Sequence, residues 1–308
     1  LTNSIQIAIV AVPSSLFQQI KFPNPPPLGT DVLSEKAESV ITAILNKFRA
    51  WSPAHRSMII GFPDDTEAAA RFATSSNGGH QIVAFYTTDS IYEREAQRMT
   101  ASAHRLGLMV ASTPVASAGS WVRNASMKAT FLSNERRSKR GPLLYVDVDA
   151  VFHRNPWPAF DGHDGDLSVY YDEAENRLIA ATILINDTPA AARLMEIWKD
   201  RCNQDPDIWD QVVLEKIIAE DAASKTPEFD VRRLPASFCW IFDRVSNKRI
   251  ETVYIEQLQA SRETTQRPRS FGRISKKLAR RRDRVEEIDR LLFASRTADL
   301  LERPGEAA

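Results

Sequence analysis

Cysteine is scarce in this chain: its 308 residues include two, Cys202 and Cys239. Two thiols without CxxC spacing exclude a disulfide framework, a zinc site built on paired cysteines and thioredoxin-like redox chemistry, and they fit a reducing, cytoplasmic setting. No apolar run is long enough to span a bilayer. Ile5 to Val12, the longest near the start, lacks a basic flank and reads as a buried strand, so no transmembrane segment is expected. The chain begins at Leu1, and a leader removed before it is compatible with that start. Net charge is absent too: 40 Lys and Arg balance 40 Asp and Glu, which argues against whole-molecule attraction to nucleic acid. A 43% hydrophobic and 26% charged composition is neither that of a disordered chain nor that of a membrane protein. The length suffices for one large α/β domain with appendages, or for two small domains.

Strands and helices alternate along the chain. Ile5 to Val12 is followed by a loop with four prolines between Phe22 and Gly29, then by a helix capped by Asp31 or Ser34 and running to Phe48. Ser57 to Phe62 reads as a second strand, and Asp64 opens a second helix that ends near Gly78-Gly79. Gln81 to Thr88 is a third strand. Asp89 or Ser90 then caps a helix that stops at Gly107, and Leu108 to Ala111 is a strand. Trp121 to Leu132 is a helix, Ser133 to Gly141 a polar connection, and Leu143 to Val146 a buried strand. Further on come a strand from Leu178 to Ile185, a helix from Thr188-Pro189 to Trp198, a helix from Asp207 to Ala219, and closing segments Val231 to Leu234 and Phe238 to Phe242. The fold class this implies is α/β, with a mostly parallel mixed sheet covered by helices on both faces.

From Arg262 to Arg284 ten Lys or Arg face two acids, Glu263 and Asp283, a local charge of +8. Ile274, Leu278, Val285, Ile288 and Leu292 form an apolar stripe at helical spacing, so the tail reads as a basic amphipathic helix. The domain organisation expected is an N-terminal α/β extension of uncertain role over 1–80, a catalytic core over 81–258 and the basic helical tail over 259–308.

The DxD spacing occurs three times, at Asp147 and Asp149, Asp164 and Asp166, and Asp205 and Asp207. The last two pairs sit beside Gly or Pro in polar loops and read as solvated turn acids. Asp147 and Asp149 instead end an apolar strand, and ligand sites of open α/β sheets form outside the carboxyl ends of strands. Two carboxylates there repel each other unless something positive lies between them. A hard Mn²⁺ or Mg²⁺ ion is the simplest partner, because it takes oxygen ligands and stabilises charge on a departing diphosphate. The alternative is a pair of strand-end acids satisfied by caps or salt bridges.

Five segments in order, FYTTDSIYEREAQRMTASAHRLGL, SWVRNASMKATFL, GPLLYVDVDAVFHRNP, TILINDTPAAARLMEIW and WDQVVLEKII followed by Leu234-Pro235, make residues 81–243 resemble the metal-dependent GT-A glycosyltransferases, in particular the nucleotide-diphospho-sugar transferases. The resemblance implies a GT-A-like (Rossmann-like) core moving a sugar from a nucleoside diphosphate sugar, by analogy a UDP-sugar, to an acceptor hydroxyl. It also implies roles. Tyr86, Thr87 and Thr88 would bracket the base and ribose, and Trp121, Asn124 and Lys128 would line the donor pocket. Asp147 would hold the ribose or the metal, and Asp149 would ligate the metal. Asn186 would touch the transferred sugar or the acceptor, and Asp210 and Gln211 would sit nearest the reacting carbon, Asp210 acting as general base if configuration inverts.

Each role has a plainer counterpart. Trp121 and Trp209 also read as core or surface aromatics, Lys128 as a solvated helix lysine, Asn186 as the cap of the next helix, and Asp210 as a first-turn acid. One departure is clear: many relatives supply a late histidine as a third metal ligand, whereas the five here, His55, His80, His104, His153 and His163, all precede residue 164. Either another group, such as Asp243 or water, completes the site, or this chain uses fewer protein ligands, and His153 reads as a surface residue.

Two other classes compete. YVDVDAVF also fits an HAD-like phosphohydrolase, in which the first aspartate attacks phosphorus, but that motif belongs on a first strand with further partners. A binding module is the third class, its basic tail gripping nucleic acid, an anionic glycan, or a membrane surface carrying a lipid-linked saccharide acceptor.

Overall fold

A computed structural model describes residues 80–172, 174–244, 250–264 and 274–301, with side chains as far as residue 293. The strands and helices expected before residue 80 lie outside the described residues. Those described belong to one unit, Arg56–Ala308.

The strands are β1 (Gln81–Thr87), β2 (Val110–Val115), β3 (Leu143–Val146), β4 (Ala150–Phe152), β5 (Leu167–Asp172), β6 (Arg177–Ile185), β7 (Val231–Leu234), β8 (Trp240–Ile241) and β9 (Ile255–Gln257). The helices are α1 (Tyr92–His104), α2 (Trp121–Ser138), α3 (Pro189–Gln204), α4 (Asp210–Ala222), the single turn α5 (Ser261–Thr264) and α6 (Lys276–Leu301). Six strands form one sheet in the order β2-β1-β3-β6-β5-β7. The pairings β1/β2, β1/β3 and β5/β7 are parallel, and β6 runs antiparallel to both β3 and β5. This is the mostly parallel mixed α/β sheet that the alternation of elements implies. A second sheet, β4-β9-β8, sits beyond the acidic pair.

Period-two alternation in β1 and β3 sorts the core into two layers. Ile82, Ala84, Leu144 and Val146 pack with Ala96, Met99 and Ala103 of α1. Val83, Phe85, Leu143 and Tyr145 pack on the other face with Ala129 and Leu132 of α2, Leu194 and Trp198 of α3, and Leu214 of α4.

Several boundaries differ from the sequence reading. β2 begins at Val110 and continues through Pro114, which an edge strand tolerates because one backbone face needs no partner. α2 runs on through the polar stretch to Ser138 because Arg136 is buried, donating to the carbonyls of Gly141 (2.8 Å) and Ile185 (3.2 Å). α4 starts at Asp210 rather than Asp207, whose carboxylate pairs with Arg123 instead. β5 was not expected, and Asp166 before it is no free turn acid: it accepts from Thr188 Oγ1 and the Asp230 amide.

α6 docks on the fold. Ile288 and Leu292 pack with Val151 and Leu258, while Ile274 stays 45% exposed and outside the stripe. Arg281 and Arg284 are buried: Arg281 pairs with Glu95 and Glu263, and Arg284 makes two bonds to Glu256 at 2.7 and 2.8 Å. His153 is buried as well, not at the surface, with Nε2 2.7 Å from the same Glu256. Arg284 and His153 hold the Glu256 carboxyl down at about 2 against the opposing effect of burial, the largest single influence on it.

Trp198 is fully buried and its indole N–H donates to the Asp210 carbonyl at 3.0 Å. Trp198→Ala should destabilise the fold by about 3–5 kcal/mol, read from urea unfolding, as expected for emptying a large aromatic site.

Candidate functional site

β3 ends at Val146, and the chain turns at once: the Asp147 amide donates to the Ala181 carbonyl and the Ala150 amide to the Asp147 carbonyl, which exposes a two-acid tip above the sheet. Over that tip lies a cavity lined by Tyr86 and Thr87 of β1, by Tyr92 of α1, by Trp121, Asn124 and Lys128 of α2, by Asp147 and Asp149, and by Arg177, Trp209, Asp210 and Gln211, with the Trp121 and Trp209 rings meeting edge-on at 5.4 Å. The cavity therefore spans three neighbouring strands, β1, β3 and β6, at their common edge. Thr88 and Asn186 are not among its lining residues. Thr88 bonds the Val115 carbonyl through its amide. Asn186 donates from its side-chain amide to the carbonyls of His163 and Gly165. Nor is Asn186 the cap of α3, since Thr188 accepts from the Ala191 amide in that position.

The centre of the site is a buried cation. Lys128 Nζ donates to the Ala180 carbonyl at 2.9 Å and lies 3.0 Å from Asp147 Oδ1 and 3.3 Å from Asp210 Oδ2. The last contact is an ion pair without hydrogen-bond geometry, so Asp210 Oδ2 is buried with no hydrogen bond. Burial alone would lower the lysine's pKa, but Asp147 and Asp210 together raise it, so the ammonium stays charged. The Tyr145 hydroxyl donates to the same Asp147 Oδ1 at 2.6 Å. Asp210 is only 1% exposed, and burial raises its pKa although Lys128 opposes this.

Asp149 stands apart from that cation. Its Oδ2 accepts from the Ala260 amide at 2.6 Å and its carbonyl accepts from the Leu258 amide, so the segment after β9 cradles it. Burial, and then the charge of Asp147, push the Asp149 carboxyl up to about 7. The same burial, followed by the Asp149 charge, pushes the Tyr92 hydroxyl up to about 12. Asp243, a candidate third ligand in the sequence, has both oxygens bound by Arg262 at 2.8 Å. Among the described residues no three His, Cys, Asp or Glu side chains form a cluster able to hold a metal.

Arg177, Arg244, Gln257, Gln259 and Ser261 also line the cavity and were missed in the sequence. No local motif marks them. They arrive because β6 runs back over the tip of β3 and β9 returns beside β4.

Residues 138–266 match the nucleotide-diphospho-sugar transferase family. The matched stretch carries Asp147, Asp149, Asp210 and Gln211, whereas Tyr86, Trp121, Asn124 and Lys128 precede it. No curated protein matches the chain. Solved structures similar to it include a glycosyltransferase involved in glycosylation of the major capsid of PBCV-1, at 11% identity and TM-score 0.47, covering 68% of this chain and 98% of that one. The glycosyltransferase GlyE of Streptococcus pneumoniae TIGR4 is similar at 11% identity and TM-score 0.42, over 74% of this chain and 66% of that one. Mouse xyloside xylosyltransferase 1 is similar at 11% identity and TM-score 0.38, over 59% and 98%. No helix among the described residues is long and apolar enough to cross a membrane.

Two predictions test these electrostatics. Lys128→Met strands Asp147 and Asp210 without their shared counter-charge and should cost about 3–5 kcal/mol in urea unfolding, part of it recovered by adding Asp210→Asn. The second concerns Asp149, whose folded-state value of about 7 exceeds its ordinary 3.8. Its contribution to stability is therefore fully present below about pH 4 and lost as pH rises through about 7. In chelator-treated protein the wild type should lose stability relative to Asp149→Asn over that interval and run parallel to it above; equal slopes throughout would contradict the assignment.

Proposed function

We propose that this protein transfers a sugar from a nucleoside diphosphate sugar, a UDP-sugar in the first instance, to an acceptor hydroxyl, with the donor lying across the β1–β3–β6 edge. The observation that supports it most is the Asp147–Asp149 tip facing a cavity inside the region that matches the nucleotide-diphospho-sugar transferases. In this reading residues 81–258 are the catalytic core and 1–80 and 259–308 its appendages.

The two carboxylates fit a hard divalent cation. Asp147 Oδ1 and Asp149 Oδ2 are taken by protein donors, which leaves one further oxygen on each, and the raised Asp149 carboxyl is the state of an acid lacking a counter-charge. Asp147 and Asp149 would hold Mn²⁺ or Mg²⁺, which when bound supplies Lewis-acid stabilisation of charge on the departing diphosphate. Tyr86 and Thr87 flank the base and ribose, and Trp121 and Asn124 wall the donor. Lys128 fixes the orientation of Asp147 and keeps positive potential beside the leaving group. Gln211 meets the transferred sugar. Asp210, against Lys128, accepts the proton of the attacking hydroxyl if configuration inverts. Thr88 and Asn186 support these parts from outside the cavity.

The HAD-like reading is weaker. It requires Asp147 at the end of a first strand, yet β1 and β2 both precede β3, and one oxygen of that carboxylate already accepts from the Tyr145 hydroxyl. The binding-module reading is weaker too, because Arg281 and Arg284 are consumed by internal carboxylates.

A panel of nucleotide sugars, read by released nucleotide, should reveal slow acceptor-independent hydrolysis of one donor that a chelator abolishes. Asp149→Ala should lower that turnover by about 10²–10³-fold, the equivalent of several kcal/mol of lost charge stabilisation. Full turnover in that variant would exclude the cation assignment.

A further inference from the structure

Among the described residues three cations line the cavity: Lys128, Arg177 and Arg244. Lys128 is held by Asp147 and Asp210. Arg244 is held by Asp172, with Glu175 at 4.0 Å. Arg177 has no carboxylate within ion-pair distance among the described residues. Its guanidinium instead lies 5.4 Å from the ring centroid of Trp209, which is braced by the edge-on ring of Trp121. A cation–π contact of this kind fixes the group in position while leaving its N–H donors unspent. The fork of a guanidinium matches a carboxylate or phosphate with two parallel bonds, a pairing a neutral hydroxyl cannot equal.

The topology says which side of the cavity this is. β6 runs antiparallel to β3, and Ala181 receives the Asp147 amide, so residues 180 back to 177 project past the acidic tip on the side of β3 remote from β1. Tyr86 and Thr87 belong to β1, on the other side of β3. With the nucleotide on the β1 side and the diphosphate over Asp147 and Asp149, the Arg177 side is left for the acceptor, and the Trp121–Trp209 contact is where the two adjoin. We infer that this side is an acceptor subsite for a saccharide carrying an anionic group, carboxylate or phosphate, with Arg177 as its partner and Trp209 as the platform that holds the guanidinium. The orientation rests on the transferase reading; the anion preference rests on Arg177 and Trp209.

Calorimetry on the full chain separates the two. The probes are methyl β-D-glucuronide, glucose 6-phosphate, neutral methyl β-D-glucoside and UDP. Wild-type protein should bind one or both anionic probes at least about tenfold more tightly than the glucoside, as a charge-assisted pair implies. Arg177→Gln should erase that difference and leave UDP affinity unchanged, and Arg177→Lys, which keeps charge without the fork, should fall between. Binding of only the glucuronide or only the phosphate identifies the anion. A preference that survives Arg177→Gln, or UDP affinity falling by the same factor as the anionic probes, overturns the proposal, the latter because Arg177 would then serve the diphosphate. If UDP and every nucleotide sugar fail to bind while the anionic probes still respond to Arg177, the subsite stands and the donor reading falls.

Discussion

A single buried ammonium organises the edge of the sheet. Lys128 rises from α2 beneath the tip of β3 and is met by a carbonyl of β6, a carboxylate after β3 and a carboxylate at the start of α4. Four elements distant in sequence thus converge on one charge. An ion taken out of water is costly unless its surroundings supply full compensation, and here the compensation comes from groups that also line the cavity. The positions of Asp147 and Asp210 are consequently not independent, since moving either one leaves the lysine under-neutralised.

The second constraint is the reversed direction of β6. In a wholly parallel sheet every strand would stop at the same edge and the site would be open on that side. Running the other way, β6 continues past the end of β3, and its first residues wall the cavity while its middle supplies the carbonyls that the Asp147 amide and Lys128 bind. α4 packs against that wall and brings Trp209, Asp210 and Gln211 to it.

What could be read from the sequence, and what could not, follows the range of the interactions. The tip of β3 was legible because an apolar run followed by two acids is a local pattern, and Pro189 behind Thr188 marked the start of α3 for the same reason. Lys128 was ambiguous, since a lysine within a helix shows no sign of partners 19 and 82 positions further on. Asn186 had two sequence readings, sugar contact and helix cap; its amide is in fact spent on the loop before β5, a contact no spacing announces. Arg136 and the run around it looked solvated because the carbonyls it serves are themselves invisible in sequence. Arg281 and Arg284 looked like an exposed charge run because Glu95 and Glu256 lie far upstream, and only folding cancels them.

That cancellation bears on how the molecule is made. Asp149 is cradled by the amides of Leu258 and Ala260, the strand before them is pinned through Glu256 to Arg284, and the turn after them is pinned through Glu263 to Arg281. A nascent polypeptide in which α6 has not yet left the ribosome has β3 and both aspartates but not the clamp that sets them. The acidic tip therefore stays unfastened until α6 has been synthesised and has docked, long after the aspartates themselves were joined to the chain.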